Sequence, residues 1–241
     1  MSAQEVISLI RNRRSIRGFI DRPVPKELID QIVECGLSAP SSKNSNPWFI
    51  VTASGKDKAK VVEWFKDTAN SAVGMTERAP IDPLTGVAKE GVADTVSESI
   101  ETIEQCDTLI LLFNRGPFSR GAETILKLID DADKRSTSGK ALYGYAGEII
   151  GIGAAAENML LAAKALGLGA VYMADSYPAR QKIKDELRTT KELVGVIALG
   201  YPAYEAPPRE LRRELTASWQ DAVGKIDLSV SEQEPFWVNT T

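Results

Sequence analysis

Arg13-Arg14-Ser15-Ile16-Arg17 sets three guanidinium groups and a hydroxyl side by side. Rigid forks of N–H donors next to a group that both donates and accepts are equipment for gripping a phosphate and the electron-rich edge of a ring. A second stretch, Pro40-Ser41-Ser42-Lys43-Asn44-Ser45-Asn46-Pro47-Trp48, carries turn-forming residues straight into a tryptophan-led apolar segment. Pro40, Ser41, Ser42 and Asn44 are thereby held on a rigid edge, where small hydroxyl and amide groups can border a planar ligand.

What the chain lacks narrows the chemistry further. It has no histidine, which removes Ser-His-Asp and Cys-His catalysis and every zinc pattern that uses imidazole. Cys35 and Cys106 are the two cysteines, too few for a four-thiolate metal site and too far apart for a disulfide framework, so reduced buried thiols and no metal are expected. A net charge of −4 argues against a nucleic-acid or anionic-membrane partner, which makes the arginine cluster a local device. The opening Met-Ser-Ala-Gln-Glu has no basic stretch leading into an apolar one, and no run of about eighteen apolar residues escapes a charge. A cytoplasmic protein is the expectation.

The elements that position these residues follow from periodicity. Val6, Leu9 and Ile10 recur at helical spacing over 4–12, and Leu28, Ile29, Ile32 and Val33 repeat the pattern over 25–37. Pro25 suits the first turn of the second helix, and Gly36 with Pro40 ends it. The arginines therefore sit on the loop between two amphipathic helices. Trp48 to Ala53 predicts a strand, followed by a helix carrying Val61, Val62, Trp64 and Phe65. Thr108 to Phe113 is a continuous apolar run of strand length, which implies burial on both faces. Segments 68–104 and 116–144 lose their period, although Ile125, Leu128 and Ile129 suggest a short helix within the second.

Glu148 to Leu166 predicts a central buried helix, apolar on nearly all sides. Its Gly151-Ile152-Gly153-Ala154-Ala155-Ala156 matches a loose dinucleotide fingerprint, with Asp175 where a ribose-binding acid would lie. The fingerprint needs a strand before its first glycine, however, and Tyr145-Ala146-Gly147-Glu148 is a poor strand. Close helix packing by small residues accounts for these glycines instead. Two further strands, 169–174 and 194–200, flank a helix over about 178–188. The irregular alternation fits an α+β layered domain better than a doubly wound sheet. With 43% hydrophobic residues and no repeat or linker, a single domain over 1–241 is expected, with variable segments at 68–104 and 116–144 and an aromatic tail at 219–241.

Both polar stretches resemble the nitroreductase family of flavoproteins, whose N-terminal motifs of the form RRSxRxF and APSxxNxQPW hold FMN. The match extends in order through Ala155-Ala156-Glu157-Asn158-Met159-Leu160-Leu161-Ala162-Ala163, Leu166-Gly167-Leu168-Gly169 and Gly200-Tyr201-Pro202, and covers about 5 to 217. Asn46 departs from the pattern, since the family usually has glutamine there. The resemblance implies a mostly antiparallel sheet flanked by helices, in an interwoven two-subunit dimer. It assigns Arg13 and Ser15 to the phosphate end of FMN, Arg17 to the pyrimidine edge, and Arg14 to a neighbouring position. It places Pro40, Ser41 and Ser42 at the flavin of the partner subunit, with Asn44 of the same motif among the cofactor-binding residues, backbone contacts at Ala174 and Asp175, and a second phosphate-binding arginine at Arg212.

What the resemblance implies is an FMN-dependent oxidoreductase that takes hydride from NADH or NADPH. It would pass two electrons to a small-molecule acceptor such as a nitroaromatic, quinone or activated alkene. The cofactor carries the redox chemistry and the protein supplies binding and electrostatics, so no catalytic side chain is assigned. Related activities remain open: reductive dehalogenation, flavin fragmentation, azoline dehydrogenation, or flavin storage and redox sensing without turnover.

Overall fold

The computed structural model describes residues 2–69, 77–78, 93–130, 135–174 and 179–208. Met1–Pro207 form one unit, and of a second, Pro208–Thr241, only Pro208 is described. Asp175, Arg212 and the tail at 219–241 lie outside the described residues.

The continuous apolar run becomes strand β5 (Thr108–Asn114), buried along its whole length. Because successive side chains point to opposite faces, its residues divide between two cores. Leu109, Leu111 and Phe113 join one cluster, and Ile110 and Leu112 join the other. β5 pairs antiparallel with β2 (Trp48–Ser54) on one edge and with β7 (Glu192–Pro202) on the other. β6 (Gly169–Met173) and the two-residue β1 (Phe19–Ile20) also pair antiparallel with β7. Among the described residues the one parallel contact is an isolated bridge from Ser15 to Ala170.

Helices cover both faces of the sheet. On one side α3 (Gly55–Ala69), α4 (Thr95–Gln105) and α7 (Arg180–Glu186) contribute Val61, Val62, Phe65, Ile103 and Ile183. On the other, α2 (Lys26–Leu37) and α6 (Arg135–Ala165) contribute Ile29, Ile32, Ile152, Met159 and Ala163. Each such buried aliphatic side chain stabilises the fold by about 1.5–3 kcal/mol. A Cβ on Gly36 would lie 2.8 Å from Met159 Cγ, so any larger residue here would force the Met159 side chain to move. α6 is long and apolar enough to cross a membrane by length and composition. It instead packs on α2 and the sheet through the residues just named. The fold is the expected α+β layering around an antiparallel sheet.

Three expectations change. Segment 68–104 is not merely loose, because α4 occupies its end and β3 (Glu77–Arg78) pairs with β4 (Ala93–Asp94) inside it. Its apolar stripe is short, Val96, Ile100 and Ile103 at i, i+4 and i+7, and polar Ser99 and Thr102 are buried beside it. In segment 116–144, α5 (Ala122–Asp130) is the anticipated short helix, but α6 starts at Arg135 rather than Glu148. Its first turns are rich in Ser, Thr and Gly, which weaken the helical signature. Finally, Cys106 is buried as expected whereas Cys35 is exposed.

Candidate functional site

α1 (Ala3–Asn12) begins with a capping box: Glu5 N donates to Ser2 Oγ at 3.3 Å, and Ser2 N donates to Glu5 Oε2 at 2.6 Å. The helix ends at Arg13, and the chain then runs along the edge of β6. Ile16 N donates to Ala170 O at 3.1 Å, fixing the Ser15–Ala170 bridge. The approach is so close that a Cβ on Gly169 would sit 2.8 Å from Ile16 Cγ2. On the other side Arg17 N donates to the Tyr204 hydroxyl at 3.1 Å and Ala203 N to Gly18 O at 3.0 Å. The loop is thus tied down at both ends.

Its side chains divide by commitment. Arg13 Nε donates to Glu157 Oε1 of α6 at 3.0 Å, which orients the guanidinium and leaves its terminal nitrogens available. Arg14 Nη1 donates to the Pro207 carbonyl. The Ser15 hydroxyl and the Arg17 guanidinium have no hydrogen-bond or ionic partner among the described residues, and both residues are half-buried. A fixed cation and a hydroxyl held this way, beside an oriented Arg13, fit the anionic and polar groups of FMN.

The second polar stretch is a one-turn 3-10 helix, Ser42–Asn44, closed by unusual backbone. Lys43, Asn44 and Asn46 have φ of 52°, 53° and 44°, the left-handed region that asparagine tolerates better than most residues. The Ser41 hydroxyl accepts from Asn46 N at 3.0 Å, and Asn46 Nδ2 donates to Asn44 O at 3.0 Å. Asn46 therefore latches the turn, a task its short amide performs and a longer glutamine would not reproduce in the same geometry. The turn rests on α6, where a Cβ on Gly147 would lie 3.7 Å from Ser42 Cβ and one on Gly151 3.4 Å from Ser41 Cβ. Gly151 thus serves packing, well inside a helix, while no described atom beyond its own helix lies within 4 Å of a Cβ placed on Gly153.

Sequence reasoning missed Glu148. It is 1% exposed and accepts four hydrogen bonds: from Asn114 Nδ2 (2.8 Å), Phe118 N (2.7 Å), Ser119 N (2.9 Å) and Ser119 Oγ (2.5 Å). Asn114 Oδ1 in turn accepts from Gly116 N at 2.8 Å. One carboxylate on α6 therefore holds the whole β5–α5 loop. A signal was present, since Glu148 is the one charge between Lys140 and Glu157, and a charge inside an apolar helix must find partners. Tyr145, one turn before it, donates to Glu192 Oε1 at 3.1 Å, and burial beside that carboxylate pushes its phenol up to about 12.

The model of the nitroreductase family matches residues 10–201. The chain belongs to the nitroreductase family. A relative in Thermus thermophilus named NADH dehydrogenase is 29% identical over 217 residues, covering 86% of this chain and 92% of that protein. Among solved structures, the FMN-dependent nitroreductase NfnB from Mycobacterium smegmatis, in complex with NADPH, superposes with a TM-score of 0.64 at 19% identity, over 90% of this chain and 98% of NfnB. A structure from Desulfovibrio desulfuricans in complex with FMN gives 0.60 at 23% identity, over 90% and 98%. These likenesses establish the nitroreductase fold.

Within that fold, Arg13, Arg14, Ser15 and Arg17 share one loop against β6, and Ala174 stands exposed just past the end of that strand. Pro40, Ser41, Ser42 and Asn44 share a separate turn on α6.

Proposed function

We propose that the protein is an FMN-dependent oxidoreductase that uses NADH or NADPH to reduce small electrophiles such as nitroaromatics, quinones or activated alkenes. The observation that carries this reading is the pair of uncommitted donors, the Ser15 hydroxyl and the Arg17 guanidinium, on a loop pinned to β6 and to Tyr204. Family membership and relatives named for NADH, NAD(P)H and FMN support it. FMN, when bound, supplies the two-electron chemistry.

Arg13 and Ser15 hold the phosphate end, with Arg212 as a second phosphate contact, and the backbone at Ala174 and Asp175 borders the ring. Arg17 sets a fixed positive charge at the pyrimidine edge, where it favours a ligand that gains negative charge on reduction. With no histidine in the chain, no imidazole is available to deliver the acceptor's proton, which would come from water. Donor and acceptor use one slot in turn, so double-reciprocal plots are parallel.

The same reading makes the protein a homodimer in which Pro40, Ser41 and Ser42 border the partner's flavin, with Asn44 on the same turn. Two exposed apolar faces support this. Leu142, Tyr143 (85% exposed) and Ile150 (74%) project from α6, while Val6, Ile7 and Ile10 project from α1. Faces of this kind on a soluble chain mark an interaction surface. Acid precipitation of the purified protein releases FMN to the supernatant, and sedimentation gives a flavin-loaded dimer. Recovery of FAD, or of no flavin from folded protein, overturns the cofactor assignment; a flavin-loaded monomer at micromolar concentration overturns the shared site.

A further inference from the structure

A cleft of about 780 Å3 opens where the β5–α5 loop faces α7 and the start of β7, apart from the arginine loop. Six basic residues line it: Arg115, Arg120, Lys127, Arg180, Lys184 and Lys191. Two acidic residues accompany them, and both are engaged. Glu123 Oε1 lies 3.4 Å from Lys184 Nζ. Glu192 Oε1 lies 3.5 Å from Arg180 Nη1 and accepts from Tyr145, while its Oε2 accepts from Ala122 N at 3.4 Å. Arg115, Arg120, Lys127 and Lys191 have no carboxylate at ion-pair distance among the described residues. In a protein of net charge −4, this concave surface carries a local excess of four positive charges.

The walls are built rather than incidental. The loop presenting Arg115 and Arg120 is held from beneath by buried Glu148 and by Asn114. It closes on itself where Arg120 N donates to Gly116 O at 3.1 Å, so tightly that a Cβ on Gly116 would meet Arg120 Cα at 2.8 Å. Arg120 itself is held at φ 60°, a left-handed conformation that a side-chain-bearing residue keeps only when its surroundings impose it. A concave wall with a net excess of positive charge concentrates anions, and the volume suits a small organic ligand.

We propose that this cleft is a binding site for a small, multiply charged anion bearing phosphate groups. The phosphates could belong to the nicotinamide donor or to a separate phosphorylated compound. The site does not depend on the flavin reading, because none of its lining residues belongs to the arginine loop.

The test uses the full-length protein as purified, with inorganic pyrophosphate as probe and calorimetric titration as readout. Saturable binding of pyrophosphate is expected, weakened roughly tenfold or more in Arg120→Glu and in Lys127→Glu. Binding should persist in Arg13→Ala, which separates the cleft from the loop assigned to FMN. No saturable binding overturns the proposal. So does binding that both charge reversals leave unchanged, or binding that disappears in Arg13→Ala. Steady-state kinetics then separate the two sources. If the donor's phosphates occupy the cleft, pyrophosphate competes with NADPH and Lys127→Glu raises its KM; a separate ligand leaves that KM unmoved while direct binding is retained.

Discussion

Two regions of this molecule collect positive charge, and they do so in opposite ways. The arginine loop draws its cations from adjacent positions, Arg13 to Arg17, and ties one to Glu157 and another to the Pro207 carbonyl. The cleft draws Arg115, Arg120, Lys127, Arg180, Lys184 and Lys191 from four separate stretches: the β5–α5 loop, α5, α7 and the turn before β7. A remote carboxylate, Glu148, fixes the loop that carries two of them. A local motif is readable in sequence because the chain itself supplies the spacing. A site assembled by tertiary contacts is not, because no short window contains it.

The largest expected effect tests that difference. Glu148→Ala removes the acceptor for four donors, three of them on the β5–α5 loop. Each buried donor left unsatisfied costs about 1–3 kcal/mol, so an overall loss of about 3 kcal/mol or more in unfolding free energy is expected from urea denaturation. The cleft should suffer more than the arginine loop, giving weaker pyrophosphate binding at nearly normal flavin content. Equal loss of both would mean that the two regions are one structural unit.

A smaller pair of effects sharpens the picture within the arginine loop. Arg17→Ala should slow reduction of the cofactor more than it lowers flavin retention, because its charge is felt most when the ring becomes anionic. Arg13→Ala should do the reverse, since a phosphate carries its charge in both redox states. A charge-assisted hydrogen bond of this kind is worth about 1.5–3 kcal/mol. The ratio of hydride-transfer rate to bound flavin, measured for each variant, decides. Identical ratios would falsify the division of labour.

An effect absent near neutral pH concerns neither region and serves as a baseline. Burial pushes the Cys106 thiol up to about 12 from its ordinary 9.0. Between those values the unfolded chain loses a proton that the folded chain keeps, so stability present below pH 9.0 declines as pH rises towards 12. Cys106→Ala should flatten the alkaline decline in unfolding free energy by up to about 1.4 kcal/mol per pH unit. An unchanged slope would assign the decline to other groups, among which Tyr145 shifts in the same direction by burial and by the nearby Glu192.

Much of the fold was legible. The continuous apolar run of β5 predicted a strand buried on both faces, and the apolar stripes located α2 and α3 closely. α4 escaped because its stripe is only three apolar residues long, Val96, Ile100 and Ile103, set among polar ones that include the buried Ser99 and Thr102. At the site, the donors on 13–17 were legible because they are sequential. Glu157 as the partner of Arg13 was not, being 144 residues away, and neither was the link from Glu148 to Asn114 across 34. Asn46 was noticed as a departure, and its function emerged only with the left-handed turn that it closes.

The central claim is that the arginine loop holds a flavin that nicotinamide donors reduce. Anaerobic stopped-flow of the purified protein, mixed separately with NADH and NADPH, tests it most directly. The account predicts a yellow protein whose absorbance near the flavin maximum bleaches rapidly with at least one donor and returns on adding a nitroaromatic or quinone. A colourless folded protein, or a yellow one that neither donor bleaches within minutes, would contradict it.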